Sequence, residues 1–299
     1  MREPPTEPVV LRTALGRHPI SDVLRSHELT EPGIELDFAD VEPIHGAFAP
    51  MVREQKYDVS ELAVVTALQA IAFDHPIAIL PVVVAARFQR RCLITLSSRP
   101  VEDPRELRGK RVGVRSYTQT TGFWIRSHLA EDYGLAAGDI EWITQDEAHV
   151  PEYVDPPFAR RTLTGSLVDA LRAGEIDAAV LGNDLPSGDE FAPVIDHAAE
   201  RDHDWAVSRG YVPVNHLVAV STRALEREPA AVRAAWRLLT RAEELVGSTG
   251  TDTPRLTMSG LERLNVPINE IAAASFAQGL LPRLVTADEV FEPVRQLVG

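Results

Sequence analysis

KRVGVRSYTQTTGFW, residues 110–124, runs a short apolar strand straight into a hydroxyl-rich turn that opens a helix. Val112, Gly113 and Val114 read as a buried strand, residues 115–121 as the turn, and Gly122 onward as an amphipathic helix that stops at Gly134. The first turn of a helix leaves backbone N–H groups unpaired beside the positive end of the macrodipole. Ser116, Thr118, Thr120 and Thr121 can add hydroxyls to those donors, so the spacing predicts a site for a small anion such as a carboxylate. The competing reading is that these residues only cap the helix, an ordinary use of Ser and Thr.

Working outward, the same alternation recurs on both sides. Residues 9–15 read as strand, 20–26 as helix, 34–39 as strand, 43–55 as helix, 57–59 as a very short strand, 61–72 as a buried helix and 77–84 as a continuous apolar strand. Beyond the charged connector 101–109 a second unit starts with the opening segment. It continues with strand 140–144, a Pro-rich loop 150–158, helix 166–173 and strand 178–181. A polar helical stretch near 196–204, an apolar strand 212–220 and helical spacing over 223–245 follow. Uninterrupted apolar strands between helices predict two α/β lobes, each a mostly parallel sheet covered on both faces. One lobe would hold residues 1–100 and 210–299 and the other residues 101–209, with a ligand cleft between them.

Bulk composition narrows the partners. The chain has 299 residues, 44% hydrophobic and 25% charged, as in ordinary globular proteins. A formal net charge of −14 disfavours nucleic acid and anionic membrane surfaces as partners. No apolar run reaches the length of a membrane span, and residues 1–15 lack the apolar core of a secretory signal, so a cytoplasmic location is expected. Cys92, the single cysteine, sits in an apolar run and reads as a core residue. His197 and His203 stand six apart among acidic residues, off any shared helical face, so no metal site is expected there. The expected partner is a small-molecule carboxylate, with homo-oligomerisation left open. Local cations for it could come from Arg87, Arg90, Arg91 and Arg115.

Five segments carry a family resemblance: YDVSELA (57–63), LRGKRVGVRSYTQTTGFWIRSHLAEDYGL (107–135), LVDALRAGEIDAAVLG (167–182), YVPVNHLVAV (211–220) and FAQGLLPRLVTADEVF (276–291). With these the chain resembles the 4,5-dihydroxyphthalate decarboxylase group, whose fold is similar to type 2 periplasmic binding proteins. The resemblance implies a two-lobed protein that clamps a small aromatic carboxylate and removes CO2 from it. Two stretches depart from the family pattern. AARFQRRCLITL puts Gln89-Arg90 where the family carries an Arg-His pair, and Gly16-Arg17-His18-Pro19-Ile20 replaces a GDYDRT-like turn.

Decarboxylating a hydroxyaromatic acid needs no cofactor in principle: a general acid protonates the ring carbon while the ring hydroxyl supplies electron density. An imidazole serves as such an acid near neutral pH. His216, a lone polar residue in VNHLV, is the first candidate, followed by His18 and His45. Glu61 would contact the ligand or sit in the first turn of its helix beside Ser60. Arg115 can pair bidentately with a carboxylate, with Ser116, Thr120 and Thr121 holding the same group and Tyr117 supplying an aromatic wall. Asn183, Asp184 and Asn215 lie near strand ends on the same side, and Arg87 and Arg90 complete the expected binding set. Other classes compatible with the fold are a solute-binding protein or sensor for a carboxylate, and another lyase or dehydratase of a biosynthetic pathway.

Overall fold

Strand Ile77–Ala86 is the longest among the described residues, and its first eight residues are buried, because it lies inside a sheet with a neighbour on each edge. The computed structural model describes residues 7–182, 185–247 and 255–298. In chain order the strands are β1 (Val9–Ala14), β2 (Ile34–Phe38), β3 (Val59–Ala63), β4 (Ile77–Ala86), β5 (Leu93–Leu96), β6 (Arg111–Val114), β7 (Glu141–Thr144), β8 (Ala159–Arg161), β9 (Ala178–Val180), β10 (Phe191–Pro193), β11 (Val214–Ser221) and β12 (Met258–Ser259). They form two six-stranded sheets, ordered β12-β4-β11-β3-β1-β2 and β10-β5-β9-β6-β7-β8. β5, ahead of the expected change-over near residue 100, already pairs within the second sheet.

Both sheets are mixed: the second is mostly parallel, as expected, with β9–β6, β6–β7 and β7–β8 parallel, whereas the first is mostly antiparallel. β1 is parallel to β2 and β3, and β6 is parallel to β7 and β9. β11 runs antiparallel to both β3 and β4, and β5 antiparallel to β9 and β10. The reason is the double crossing: β4 leads the chain out of the first sheet and β11 brings it back alongside, so the two must run in opposite directions.

A second difference decides the site. The apolar run 61–72 is not one helix: β3 occupies Val59–Ala63 and the helix is Val64–Ala72. Every residue of β3 is buried between β1 and β11, so the run carries no period-2 signal to separate strand from helix. The opening segment folds as strand, turn and helix, with β6 followed by helix Thr120–Tyr133, which begins two residues before the expected Gly122, and Gly134 closes that helix at φ 66°. Gly113 is required by packing, since a Cβ there would come within 2.5 Å of Ile176 and 2.8 Å of Leu167. No helix among the described residues is long and apolar enough to cross a membrane.

Candidate active site

A cleft of about 770 Å³ lies between the two sheets. From the first lobe it is lined by Gly16, His18, His45, Phe48, Glu61 and Thr66, from the second by Arg115, Thr118, Gln119, Thr120, Thr121 and His149, and where the lobes join by Arg87, Asn215 and His216.

Strand register builds its first half. Val218 stands opposite Glu61 and His216 opposite Ala63, so Glu61 and His216 are diagonal neighbours on one face of the β3–β11 pair. The His216 Nδ1–H donates to Glu61 Oε1 at 2.5 Å. The Gly16 N–H donates to Glu61 Oε2 at 2.7 Å, and His18 Nε2 lies 3.3 Å from the same oxygen. His18 caps helix Pro19–Arg25 with Nδ1 accepting from the Ser21 N–H, which leaves the proton of the neutral ring on Nε2, toward Glu61. Burial alone would raise the Glu61 pKa, but the two histidines outweigh it and hold the carboxyl far below the usual carboxylate range. Glu61 is therefore a buried permanent anion on a strand, not a first-turn helix residue.

The second half is the start of helix Thr120–Tyr133. The Arg87 guanidinium donates to Thr121 Oγ1 at 2.6 Å. Thr120 Oγ1 and Gln119 Oε1 are buried at the cleft without a hydrogen-bond partner. A buried hydroxyl at a helix N-terminus with no protein partner is a donor awaiting an acceptor. Arg115 stands beside it, 3.7 Å from the exposed Asp146.

Several expected binding residues lie elsewhere. Arg90 is buried in the turn between β4 and β5, paired to Asp202 at 2.7 Å and Asp132 at 3.0 Å. Tyr117 is fully buried and its hydroxyl donates to the Gln278 carbonyl at 2.7 Å. The Ser116 hydroxyl is occupied by Thr118 Oγ1 at 2.9 Å. None of the three lines the cleft: Arg90 is drawn away by Asp132 and Asp202, Tyr117 by the Gln278 carbonyl and Ser116 by Thr118. Gln89 donates to Asn215 Oδ1 at 2.6 Å, so the departure at Gln89-Arg90 falls behind the cleft wall. Arg91 is exposed, and Asn183 and Asp184 lie outside the described residues. Among the described residues no group of His, Cys, Asp and Glu is arranged to hold a metal.

His149 was invisible in the sequence, since its loop has no periodicity. Its Nδ1 meets Thr66 Oγ1 at 2.8 Å across the cleft, and the Phe48 ring stands edge-on to both His149 and His216 at 5.5 and 5.3 Å. Burial, helped by Arg115, His45 and Arg53, pushes the His149 pKa down to about 4. The unfolded ring titrates near 6.5, so its share of the stability is complete above that pH and is lost as pH falls toward 4, up to ~3 kcal/mol. Urea midpoints measured from pH 7 to 4.5 should show this slope, and His149→Gln should flatten it.

Two sequence relatives bear on the site. The chain is 27% identical over 227 residues to the 4,5-dihydroxyphthalate decarboxylase of Comamonas testosteroni, covering 69% of this chain and 67% of that protein. It is 26% identical over 194 residues to the 4,5-dihydroxyphthalate decarboxylase of Pseudomonas putida, covering 60% and 75%. No protein-family model matches. Among solved structures, the periplasmic aliphatic sulphonate-binding protein of Escherichia coli superposes with a TM-score of 0.60 at 14% identity, covering 95% of this chain and 92% of that one. The alkanesulfonate-binding protein of Xanthomonas axonopodis pv. citri gives 0.58 at 16%, covering 95% and 98%. The chain is thus similar in sequence to 4,5-dihydroxyphthalate decarboxylases and has the two-lobed fold of the periplasmic binding proteins.

Proposed function

We propose that the protein is a lyase that removes CO2 from a small hydroxyaromatic carboxylate without a cofactor. The observation that carries this reading is the pairing of buried Glu61 with part-buried His216, facing a helix start whose buried Thr120 hydroxyl has no hydrogen-bond partner, across one cleft. Arg115, Thr120, Thr121 and the first N–H groups of helix Thr120–Tyr133 hold an acidic group of the substrate, and Phe48 and Ile44 offer an apolar wall to the ring. Nδ1 of His216 is committed to Glu61, so Nε2 is the atom that exchanges a proton with the ligand. The protonated imidazole, stabilised by the Glu61 carboxylate, delivers its proton to the ring carbon bearing the departing carboxylate. The ring hydroxyl feeds electron density to that carbon; the C–C bond then breaks, CO2 leaves, and the bonding pair restores the aromatic ring. The names of both sequence relatives support the same reaction class.

Incubating the protein with 4,5-dihydroxyphthalate and a panel of other hydroxylated phthalates and benzoates tests the reading through CO2 release. Silence across the panel would refute it. Thr120→Val should weaken binding of the probe phthalate about tenfold, the cost of one hydrogen bond to a charged group, as read by calorimetric titration.

The sulfonate-binding proteins that share the fold favour a second reading, a carboxylate-binding protein or sensor. Thermal stabilisation by a phthalate that mass spectrometry recovers unchanged would favour that alternative.

A further inference from the structure

The segment at residues 276–291 carries part of the family resemblance, yet none of it lines the cleft. Gln278, buried where helix Leu261–Ala277 ends, explains its role. The Gln278 Oε1 accepts from Arg126 Nε at 2.7 Å, and Nε2 donates to Ser127 Oγ at 2.8 Å and to the Phe123 carbonyl at 3.2 Å. The Gln278 carbonyl accepts from the Tyr117 hydroxyl. All these partners sit on helix Thr120–Tyr133 or in the turn before it, in the other lobe. Two residues on, the Leu280 carbonyl accepts from Gln69 Nε2 at 2.9 Å, and Gln69 lies on helix Val64–Ala72, which continues directly from the strand bearing Glu61.

Arg126 closes the link. It is fully buried, has no carboxylate ion pair among the described residues, donates to the Tyr117 carbonyl at 2.7 Å and stacks over the Tyr117 ring at 3.9 Å. A buried guanidinium held by neutral acceptors loses much when one of them is removed, so the network stands or falls together. A path of buried hydrogen bonds joined by short stretches of backbone therefore runs from the helix that continues the Glu61 strand, through Gln69, Leu280, Gln278 and Arg126, to the turn at residues 116–121.

We propose that Gln278 is a positioning residue that fixes the anion-holding turn at residues 116–121 opposite the Glu61–His216 pair, so that the cleft stands pre-formed before ligand enters. The carboxylate capture it serves rests on the function proposed above; the pre-formed geometry does not.

The test compares the wild type with Gln278→Met, which keeps the side-chain volume, and with Val232→Ala, a cavity in the buried face of helix Pro229–Gly247. Three readouts apply to each: X-ray scattering of the unliganded protein, hydrogen exchange at the amides of residues 120–123, and titration with phthalate. Gln278→Met should enlarge the radius of gyration, speed exchange at those amides about tenfold or more, and weaken phthalate binding about tenfold to a hundredfold. Gln278→Glu, which keeps the acceptor for Arg126, should restore the wild-type scattering. Val232→Ala should lower the melting temperature and change none of the three. If Gln278→Met merely loses stability as Val232→Ala does, with scattering and exchange unchanged, the proposal is wrong. Should Gln278→Met not fold, Tyr117→Phe removes one bond of the link and little packing; unchanged exchange at residues 120–123 in that variant also overturns it. Absence of CO2 release from every phthalate would defeat the decarboxylase reading while scattering and exchange still decide this one.

Discussion

Glu61→Gln lowers CO2 release by about 10²–10⁴-fold, the range expected when proton transfer by a positioned acid is lost. The argument is electrostatic. Glu61 is buried, anionic and shared between Gly16, His18 and His216, and its charge stands 2.5 Å from the imidazole that delivers the proton. A glutamine of the same shape can still accept one hydrogen bond, but it carries no charge and presents an NH2 to one of its former donors. The loss should appear in kcat, with phthalate binding at Arg115 and Thr120 little changed, because those groups stand across the cleft. His216→Asn should fall by a similar factor, and the double variant no further, since the two residues act as one unit. A double variant that loses the product of the two factors would show that they act independently and would remove Glu61 from this role. Steady-state rates of CO2 release for the four proteins decide it.

Arg90→Met destabilises the protein by about 3–5 kcal/mol, the usual consequence of stripping one partner from a buried ion pair. Arg90 donates to Asp202 through Nη1 and through its own backbone N–H, and to Asp132 through Nε and Nη2. Asp202 is only 2% exposed. Burial already pushes its carboxyl pKa up against the pull of Arg90, so without the guanidinium it must take a proton or be hydrated, and either costs folding free energy. The change should show as a lower urea midpoint. The folded fraction should bind phthalate with wild-type affinity, because Arg90 does not reach the cleft. Weakened affinity at unchanged stability would reverse that assignment. An Arg90→Met, Asp202→Leu pair should recover much of the loss, as apolar replacements of buried ion pairs often do.

The secondary structure of residues 110–134 was legible because it is set locally: an apolar strand, a hydroxyl-rich turn, a helix and a glycine stop each depend on neighbours within a few residues. The two-lobed α/β fold followed from the same alternation repeated along the chain. His216 and Glu61 could be singled out as polar residues in apolar runs, but their contact could not, since 155 residues separate them. It exists only because β11 returns antiparallel beside β3 in one particular register. Arg90 and Tyr117 mislead for the converse reason. A cation or a phenol near a strand end looks the same in sequence whether it turns into the cleft or into the wall behind it. The carboxylates and the Gln278 carbonyl that draw them inward come from segments 42, 112 and 161 residues away. The sequence alone determined most of the elements, the acidic character and the hydroxyl-rich helix start, all properties of short segments. Tertiary structure alone decided which polar groups share the cleft, because burial and charge pairing depend on distances that the chain sets only when both sheets have closed on each other.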